Sequence, residues 1–172
     1  MVAYARKKGL YVAGNFIIGF PTETWEEIRQ TLRFTEEINV DYAKIFIALP
    51  LRNTELFDLA QRTNSIIMDT FDAERMWTSG GVIKSEHWSA EDLTILRAYE
   101  WDRINFSDPK KLERTAKRMD ITIEELNSIR KRTLSNARKM VSSHKSSYPN
   151  VSVKKAADIA MVSSESSSNI TN

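Results

Sequence analysis

The most constraining feature of this sequence is a pair of apolar runs on either side of one amphipathic segment. Residues 10–20 and 41–51 are rich in β-branched and aromatic side chains, and Pro21 and Pro50 lie at their ends. Continuous apolar runs of this kind are typical of strands buried on both faces of a parallel sheet. Proline cannot donate a ladder hydrogen bond, so we expect each strand to end there.

Residues 22–39, between the two runs, predict a helix. Thr24 is a candidate N-cap and Glu27 follows three residues later, which is the capping-box pattern. Apolar positions recur every three or four residues, which predicts one buried stripe formed by Ile28, Leu32, Thr35 with Phe34, and Ile38. The order strand, helix, strand predicts a βαβ unit with a right-handed crossover and parallel strands.

The rest of the chain is predicted to be mostly helical. Thr54 caps a second helix over residues 54–62, and the weaker pattern of 64–85 indicates short strands at 66–68 and 81–83 around a loop at Met76–Trp77. Ser89, Asp108–Pro109 and Thr122 are start signals for three further helices over residues 89–140. The first of these should bury a stripe that comprises Leu93, Leu96, Tyr99 and Ile104. The Ser-rich residues 141–172 have too little apolar mass to offset ordering entropy, and we expect disorder there.

Composition excludes several classes of protein. The 172 residues contain no cysteine, so they cannot form a disulfide, a thiolate nucleophile or a Cys-ligated metal centre. The net charge of +2 does not favour a nucleic-acid partner. The longest apolar run is too short to cross a bilayer and no signal-peptide pattern is present, so we expect a cytoplasmic protein without a membrane partner. His87 and His144 are too far apart to form a helical metal-ligand pair.

Two turns follow the predicted strands, at residues 19–24 and 49–55. The carboxyl ends of parallel strands are where ligands bind in α/β sheets, and glycine at position 19 lets a ligand approach the backbone. Each turn taken alone is also consistent with a structural βα turn that only caps the next helix.

Two further groups of residues have a structural and a functional interpretation. The aromatic residues could stack bases, but their helical spacing favours core packing; they are Trp77, Trp88, Tyr99, Trp101 and Phe106. The basic residues of 114–139 could follow phosphates, but interspersed acidic residues favour a solvated face; they are Arg114, Lys117, Arg118, Arg130, Lys131, Arg132, Arg138 and Lys139.

The two strands and their turns together resemble the radical S-adenosylmethionine (radical SAM) superfamily. The similarity lies in the runs GNFIIGFPTETWEEIRQT and DYAKIFIALPLRNTELF, which are similar to the region around the fifth and sixth strands of that family's partial (β/α) barrel. It covers about residues 1–62 and is closest to the branch that often carries a cobalamin-binding domain. Residues 89–140 resemble, less specifically, the C-terminal extension of that branch.

This resemblance implies a set of cofactor-binding positions. The fifth-strand motif packs against the adenine of S-adenosylmethionine in the family, and it corresponds here to Ile17, Gly19, Pro21 and Glu23. The end of the sixth strand adds backbone contacts to the adenine, which correspond to Ile47, Leu49 and Pro50. The chain departs from the family at Arg52–Asn53, where Pro-Gly is common, and at Thr22, where Gly is common. The implied roles are cofactor shape and positioning, and no residue is expected to be a catalytic acid or base or a metal ligand.

The family's cluster motif, C-x₃-C-x₂-C, is absent from this chain. That motif holds the [4Fe–4S] cluster needed for reductive cleavage, so we expect the chain to be inactive alone.

The expected fold is an α/β fragment with parallel strands, the C-terminal part of a TIM-like barrel over residues 1–86. A helical extension over 87–140 and a flexible tail over 141–172 would follow. The expected partner is the missing N-terminal half of the barrel or another chain that supplies it, with the cluster, and cobalamin if used, in the parent enzyme. The alternative is a non-catalytic helper module or gene remnant.

Overall fold

The computed structural model describes residues 1–67 and 80–144, with side-chain environments up to residue 140. The described elements, in chain order, are α1 (Val2–Lys7), β1 (Ala13–Ile18), α2 (Trp25–Glu37), β2 (Tyr42–Ile47), α3 (Glu55–Arg62), α4 (Ala90–Phe106), α5 (Pro109–Met119) and α6 (Ile123–His144). The expected loop at Met76–Trp77 lies outside the described residues. Most of the expected tail, residues 145–172, also lies outside the described residues. Helix α6 continues to His144, four residues into the region that was expected to be disordered.

The predicted βαβ unit is confirmed. β1 and β2 are parallel neighbours in register from Ala13 opposite Tyr42 to Ile18 opposite Ile47, and α2 connects them. Both strands are shorter than the apolar runs. β1 ends where Gly19 adopts a φ of +86°, a left-handed conformation that breaks the extended backbone and that glycine adopts without steric cost.

The predicted start of α2 is also confirmed. The Thr24 hydroxyl accepts the Glu27 N–H at 3.3 Å, and the Glu27 carboxylate accepts the Thr24 N–H at 2.7 Å. Ile28, Leu32 and Thr35 are buried as expected. Phe34 is half-exposed instead, since one residue step turns a helix by about 100° and moves that side chain off the buried stripe.

The expectation that both strands are buried on both faces is wrong. Side chains at alternate positions are exposed in each strand, among them Asn15 and Ile17 of β1 and Lys44 and Phe46 of β2. In the part of the chain that the structure describes, α2 and the core cover only the opposite face of the sheet, where Ile18 and Ile45 lie. We call the uncovered side, formed by Asn15, Ile17, Lys44 and Phe46, the open face.

The connections after β2 follow the sequence signals in part. Thr54 caps α3 and accepts the Phe57 N–H at 3.2 Å, as predicted. The expected strands at 66–68 and 81–83 are reduced to a single antiparallel bridge between Ile66 and Ile83 among the described residues.

The three predicted C-terminal helices are present with their predicted caps. Ser89 and Asp92 form a capping box at the start of α4, and Asp108 caps α5 with proline in its first turn. The Thr122 hydroxyl accepts the Glu125 N–H at 3.1 Å, and the Glu125 carboxylate accepts the Thr122 N–H at 2.8 Å. The local polar residues therefore set where each of these helices begins.

Helix α4 is the centre of the structure. Leu93, Leu96 and Ile104 of the predicted stripe are buried, but the helix is buried on nearly all sides and takes Thr94, Glu100 and Asn105 into the interior as well. The buried Glu100 carboxylate accepts from Arg103 at 2.6 Å, and Arg103 also donates to Glu36 of α2. This arrangement joins α4 to the βαβ unit through charged groups that each have a partner.

Asn105 satisfies the outward backbone groups of Ala43 at the edge of β2. Its side-chain oxygen accepts the Ala43 N–H at 2.8 Å, and its side-chain nitrogen donates to the Ala43 carbonyl at 2.8 Å and to the Trp101 carbonyl at 2.9 Å. The Ala43 groups point away from β1, where a third strand would otherwise pair. A single buried amide thus takes the place of a neighbouring strand at this position.

No helix within residues 1–67 and 80–144 is both long enough and apolar enough to span a membrane.

Replacing Asn105 should destabilise the fold and expose a sheet edge. We expect Asn105→Ala to lower the free energy of unfolding by about 3 kcal/mol, because it leaves both Ala43 groups without partners and opens a small cavity. Urea unfolding measures this, with the exposed Asn136→Ala on α6 as the matched control, expected within about 0.5 kcal/mol of the parent. A loss below about 1 kcal/mol for Asn105→Ala would show that the amide is not needed at this edge.

Candidate functional site

The ends of the two strands lie side by side. Because β1 and β2 are parallel and in register, the turn after Ile18 and the turn after Ile47 leave the sheet at the same edge. The Ala48 N–H donates to the Ile18 carbonyl at 2.8 Å and continues the pairing one residue beyond β2. The structure therefore brings the two candidate turns together, as a common ligand site requires.

The turn after β1 is closed by the side chain of Glu23. One carboxylate oxygen of Glu23 accepts both the Gly19 N–H and the Phe20 N–H, the latter at 3.1 Å. The Glu23 N–H donates to the Phe20 carbonyl at 2.8 Å, and Pro21 is buried inside the turn. Glu23 is thus occupied by its own turn, and its role here is to shape the backbone.

Partial burial raises the pKa of the Glu23 carboxyl above its ordinary value of 4.5. The hydrogen bonds from Gly19 and Phe20 favour the ionised form and offset part of this effect, while the charge of Glu27 adds to it. The Glu27 carboxyl, which is exposed and accepts the Thr24 N–H, has a lowered pKa. Two carboxyls four residues apart are therefore shifted in opposite directions.

Gly19 is packed too closely for any side chain. A Cβ at this position would lie 2.4 Å from the Leu93 Cδ1 of α4 and 3.5 Å from the Ile47 Cγ2. Leu93 is fully buried, so it has little freedom to withdraw. Glycine is required here both by its positive φ and by the approach of α4. The sequence predicted instead that this glycine lets a ligand approach the backbone, but the space beside its Cα is filled by Leu93.

The open face carries an apolar pair next to the two turns. Ile17 is 49% exposed, and Phe46, directly opposite it in the register, is 48% exposed. Asn15 and Lys44 form the neighbouring pair on the same face. The sequence indicated Ile17 as a candidate and missed Phe46, which only the strand register identifies.

The three candidates at the end of β2 differ in orientation from Ile17. Ile47 lies opposite the fully buried Ile18, so its side chain is on the covered face of the sheet. Leu49 is half-buried and Pro50 is buried. A ligand on the open face would therefore meet the backbone of this segment, consistent with the role expected for it.

Among the described residues, the aromatic candidates lie in or against the core, and two of the basic candidates form ion pairs within the fold. Trp88, Trp101 and Phe106 are buried, as the core interpretation predicts, and Tyr99 is half-buried against Ile95. Two basic residues join helices to neighbouring elements: Arg114 binds Asp41 at 3.3 Å and Arg130 binds Asp102 at 2.7 Å. Within the described ranges, no three His, Cys, Asp or Glu side chains come together to hold a metal ion.

Comparison with known proteins finds partial relatives. Over 95 residues the chain is 37% identical to an uncharacterized methyltransferase of Pyrococcus horikoshii, which covers 55% of this chain and 20% of that protein. It is 39% identical over 51 residues to a tRNA-2-methylthio-N(6)-dimethylallyladenosine synthase of Baumannia cicadellinicola, covering 30% of this chain and 11% of the relative. The same kind of synthase from Aeromonas hydrophila is 38% identical over 55 residues, 32% of this chain and 12% of the relative.

The chain spans about a fifth of the length of the methyltransferase and about a tenth of each synthase. No family model matches the chain, and no solved structure does. The similarity thus links a segment of this chain to a methyltransferase and to methylthio-adenosine synthases.

Two glycines with positive φ allow a matched test of the packing at the first turn. Gly9→Ala should lower the free energy of unfolding by about 1 kcal/mol, because its φ is +73° and a Cβ there would meet nothing within 4 Å. Gly19→Ala should cost about 3 kcal/mol, since the clash with Leu93 adds to a similar backbone strain. Thermal or urea unfolding compares the two, and equal losses would contradict the close packing against α4.

The opposite pKa shifts of Glu23 and Glu27 predict opposite pH dependences. A carboxyl with a raised pKa stabilises the folded state below its unfolded pKa of about 4.5, and this contribution is lost as the pH rises through the folded value. Glu23→Gln should therefore become more stable relative to the parent as the pH rises from 4 to 7, since the amide oxygen can still accept both N–H groups. Glu27→Gln should become less stable relative to the parent over the same range, because its lowered pKa stabilises the folded state above about 4.5. Urea unfolding at both pH values measures this, and parallel trends in the two variants would refute it.

Proposed function

We propose that this chain is the C-terminal portion of a radical SAM enzyme and contributes part of the wall that holds the adenosine of S-adenosylmethionine. The observation that carries the proposal is the parallel, in-register pairing of β1 and β2, which places both turns beside the open face. The partial similarity to a methyltransferase and to methylthio-adenosine synthases supports the same relationship. Helices cover one face of the parallel sheet, and none of the described elements covers the other face. This arrangement is consistent with a section of a (β/α) barrel wall.

The residues of the open face suit an adenine ring. Ile17 and Phe46 form a half-exposed apolar surface on which a flat base can stack. Leu49 and the neighbouring backbone at the end of β2 would complete the wall. In this proposal Pro21 and Glu23 hold the shape of the first turn, and none of these residues transfers a proton.

The iron–sulfur cluster of the family does not fit this chain. Its thiolate ligands cannot come from 172 residues without cysteine, so we derive no chemical step through a cluster here. The proposal therefore requires a second polypeptide segment that carries the cluster and the preceding strands, and the chain alone would be inactive.

The outer edge of β1 is the surface on which such a segment would pair. The ladder directs the backbone N–H and carbonyl groups of Ala13, Asn15 and Ile17 away from β2, and no hydrogen bond among the described residues engages them. The edge of β2, in contrast, is capped at Ala43 by Asn105. A strand added at β1 would extend the sheet at the edge that faces away from β2.

The open β1 edge and the missing cysteines equally favour a second candidate function. In that case the chain is a non-catalytic module that pairs with another protein through β1, or a gene remnant that keeps part of the fold. The division into residues 1–86, 87–140 and 141–172, cobalamin in the parent enzyme, and a cytoplasmic location without a nucleic-acid partner stay predictions.

Calorimetric titration of the chain with S-adenosylmethionine tests the adenosine wall. Phe46→Gln should weaken binding about tenfold, because base stacking on an aromatic ring contributes about 1–3 kcal/mol. Phe34→Gln is the matched control, since Phe34 is 53% exposed but lies on α2, and it should leave binding unchanged. A folded chain that binds no S-adenosylmethionine, or equal losses in both variants, would reject the adenosine wall and favour the helper module.

A further inference from the structure

Trp88 connects the C-terminal helical region to the first turn of the candidate site. Its indole N–H donates to the backbone carbonyl of Glu23 at 2.7 Å, although the two residues are 65 positions apart in the sequence. The Trp88 side chain is only 3% exposed, so it does not contact a ligand on the open face. The contact therefore reaches the turn from the interior of the protein.

The orientation of Trp88 is itself fixed by a tight turn. The Ser85 N–H donates to the Trp88 carbonyl at 3.0 Å, and the Trp88 N–H donates to the Ser85 hydroxyl at 3.2 Å. Ser89, the next residue, caps α4. The indole is thus held between a closed turn and the start of a buried helix, which limits the positions that it can adopt.

The start of α4 touches both ends of the first turn. Leu93, one helical turn after Ser89, occupies the space where a Gly19 side chain would lie. Trp88 binds the carbonyl of Glu23 at the other end, and Glu23 in turn binds the Gly19 and Phe20 N–H groups. The backbone geometry of the turn is consequently set by contacts from residues 88–93 as well as by its own hydrogen bonds.

We propose that Trp88 is a positioning residue that holds the Gly19–Glu23 turn in the conformation that binds the adenosine group. Docking of the start of α4 and binding of the ligand are then coupled, because both depend on the same turn. The inference rests on the proposed function for its ligand. The coupling of the turn to Trp88 is measurable without any ligand.

The test compares two buried tryptophans that each donate one indole hydrogen bond. Trp88→Phe removes the hydrogen bond to the Glu23 carbonyl. The control Trp101→Phe removes a 3.0 Å hydrogen bond to the hydroxyl of Tyr42, the first residue of β2, at the end of the sheet away from the turn. Amide hydrogen exchange of residues 19–23 and calorimetric titration with S-adenosylmethionine are measured on the full chain, together with global stability. Trp88→Phe should accelerate exchange at Gly19 and Phe20 and weaken binding about fivefold, the equivalent of one net hydrogen bond of about 1 kcal/mol.

Trp101→Phe should lower global stability to a similar extent and leave both of these readouts unchanged. Equal exchange at residues 19–23 in the two variants would overturn the proposal, since Trp88 would then contribute only to the core. If Trp88→Phe does not fold, Ser85→Ala replaces it: faster exchange at Gly19 supports the proposal and unchanged exchange overturns it.

The two proposals fail in different ways. If the parent chain binds no S-adenosylmethionine while Trp88→Phe still accelerates exchange, the adenosine site is rejected and the control of the turn by Trp88 stands without that ligand. If the parent binds and Trp88→Phe changes neither exchange nor affinity, the site stands and the positioning role is rejected.

Discussion

The structure depends on the contact between the Asn105 amide and the backbone of Ala43. A two-stranded sheet has two open edges, and each buried backbone group without a partner would cost about 1–3 kcal/mol. Asn105 satisfies the N–H and the carbonyl of Ala43 with one side chain that is fully buried. Through this contact, α4 supplies at Ala43 the two hydrogen bonds that a neighbouring strand would otherwise make.

The consequences of that contact extend to the candidate site. Once α4 is anchored at Ala43, its other end reaches the carboxyl ends of the strands, where Leu93 packs against Gly19 and the preceding Trp88 binds Glu23. The same helix joins α2 through Arg103 and contacts α5 and α6, so one hydrophobic cluster contains Ile18 of β1 and Leu126 of α6. The turn proposed to bind adenosine is therefore built by two regions that are distant in the sequence.

The two edges of the sheet differ in their hydrogen-bond partners among the described residues, and this difference is consistent with the proposed function. The edge of β2 is capped by Asn105 at Ala43, whereas no described residue pairs with the edge of β1 or covers the face with Ile17 and Phe46. An uncovered edge favours association with another strand. The uncovered β1 edge is therefore the place where the proposed additional segment would pair.

The elements of the fold were predictable where their signals are local. The starts of α2, α4 and α6 follow from capping residues and acids within four positions, such as Thr24 with Glu27 and Ser89 with Asp92. Gly19 was identified from its place at the end of an apolar run, before the predicted helix. The prediction of full burial of both strands was wrong, because apolar composition does not reveal which face of a strand the rest of the chain covers.

The two parallel strands, the helices α2 to α6, their order and the turn glycine were contained in the linear pattern of this chain, since propensity, capping and periodicity act over a few residues. The partners of Asn105, Arg103 and Trp88 were not, because they lie 62, 67 and 65 positions away. The pairing of Phe46 with Ile17 likewise required the strand register. Contacts over such separations depend on how whole elements pack, and packing alone placed these residues around the turn and on the open face.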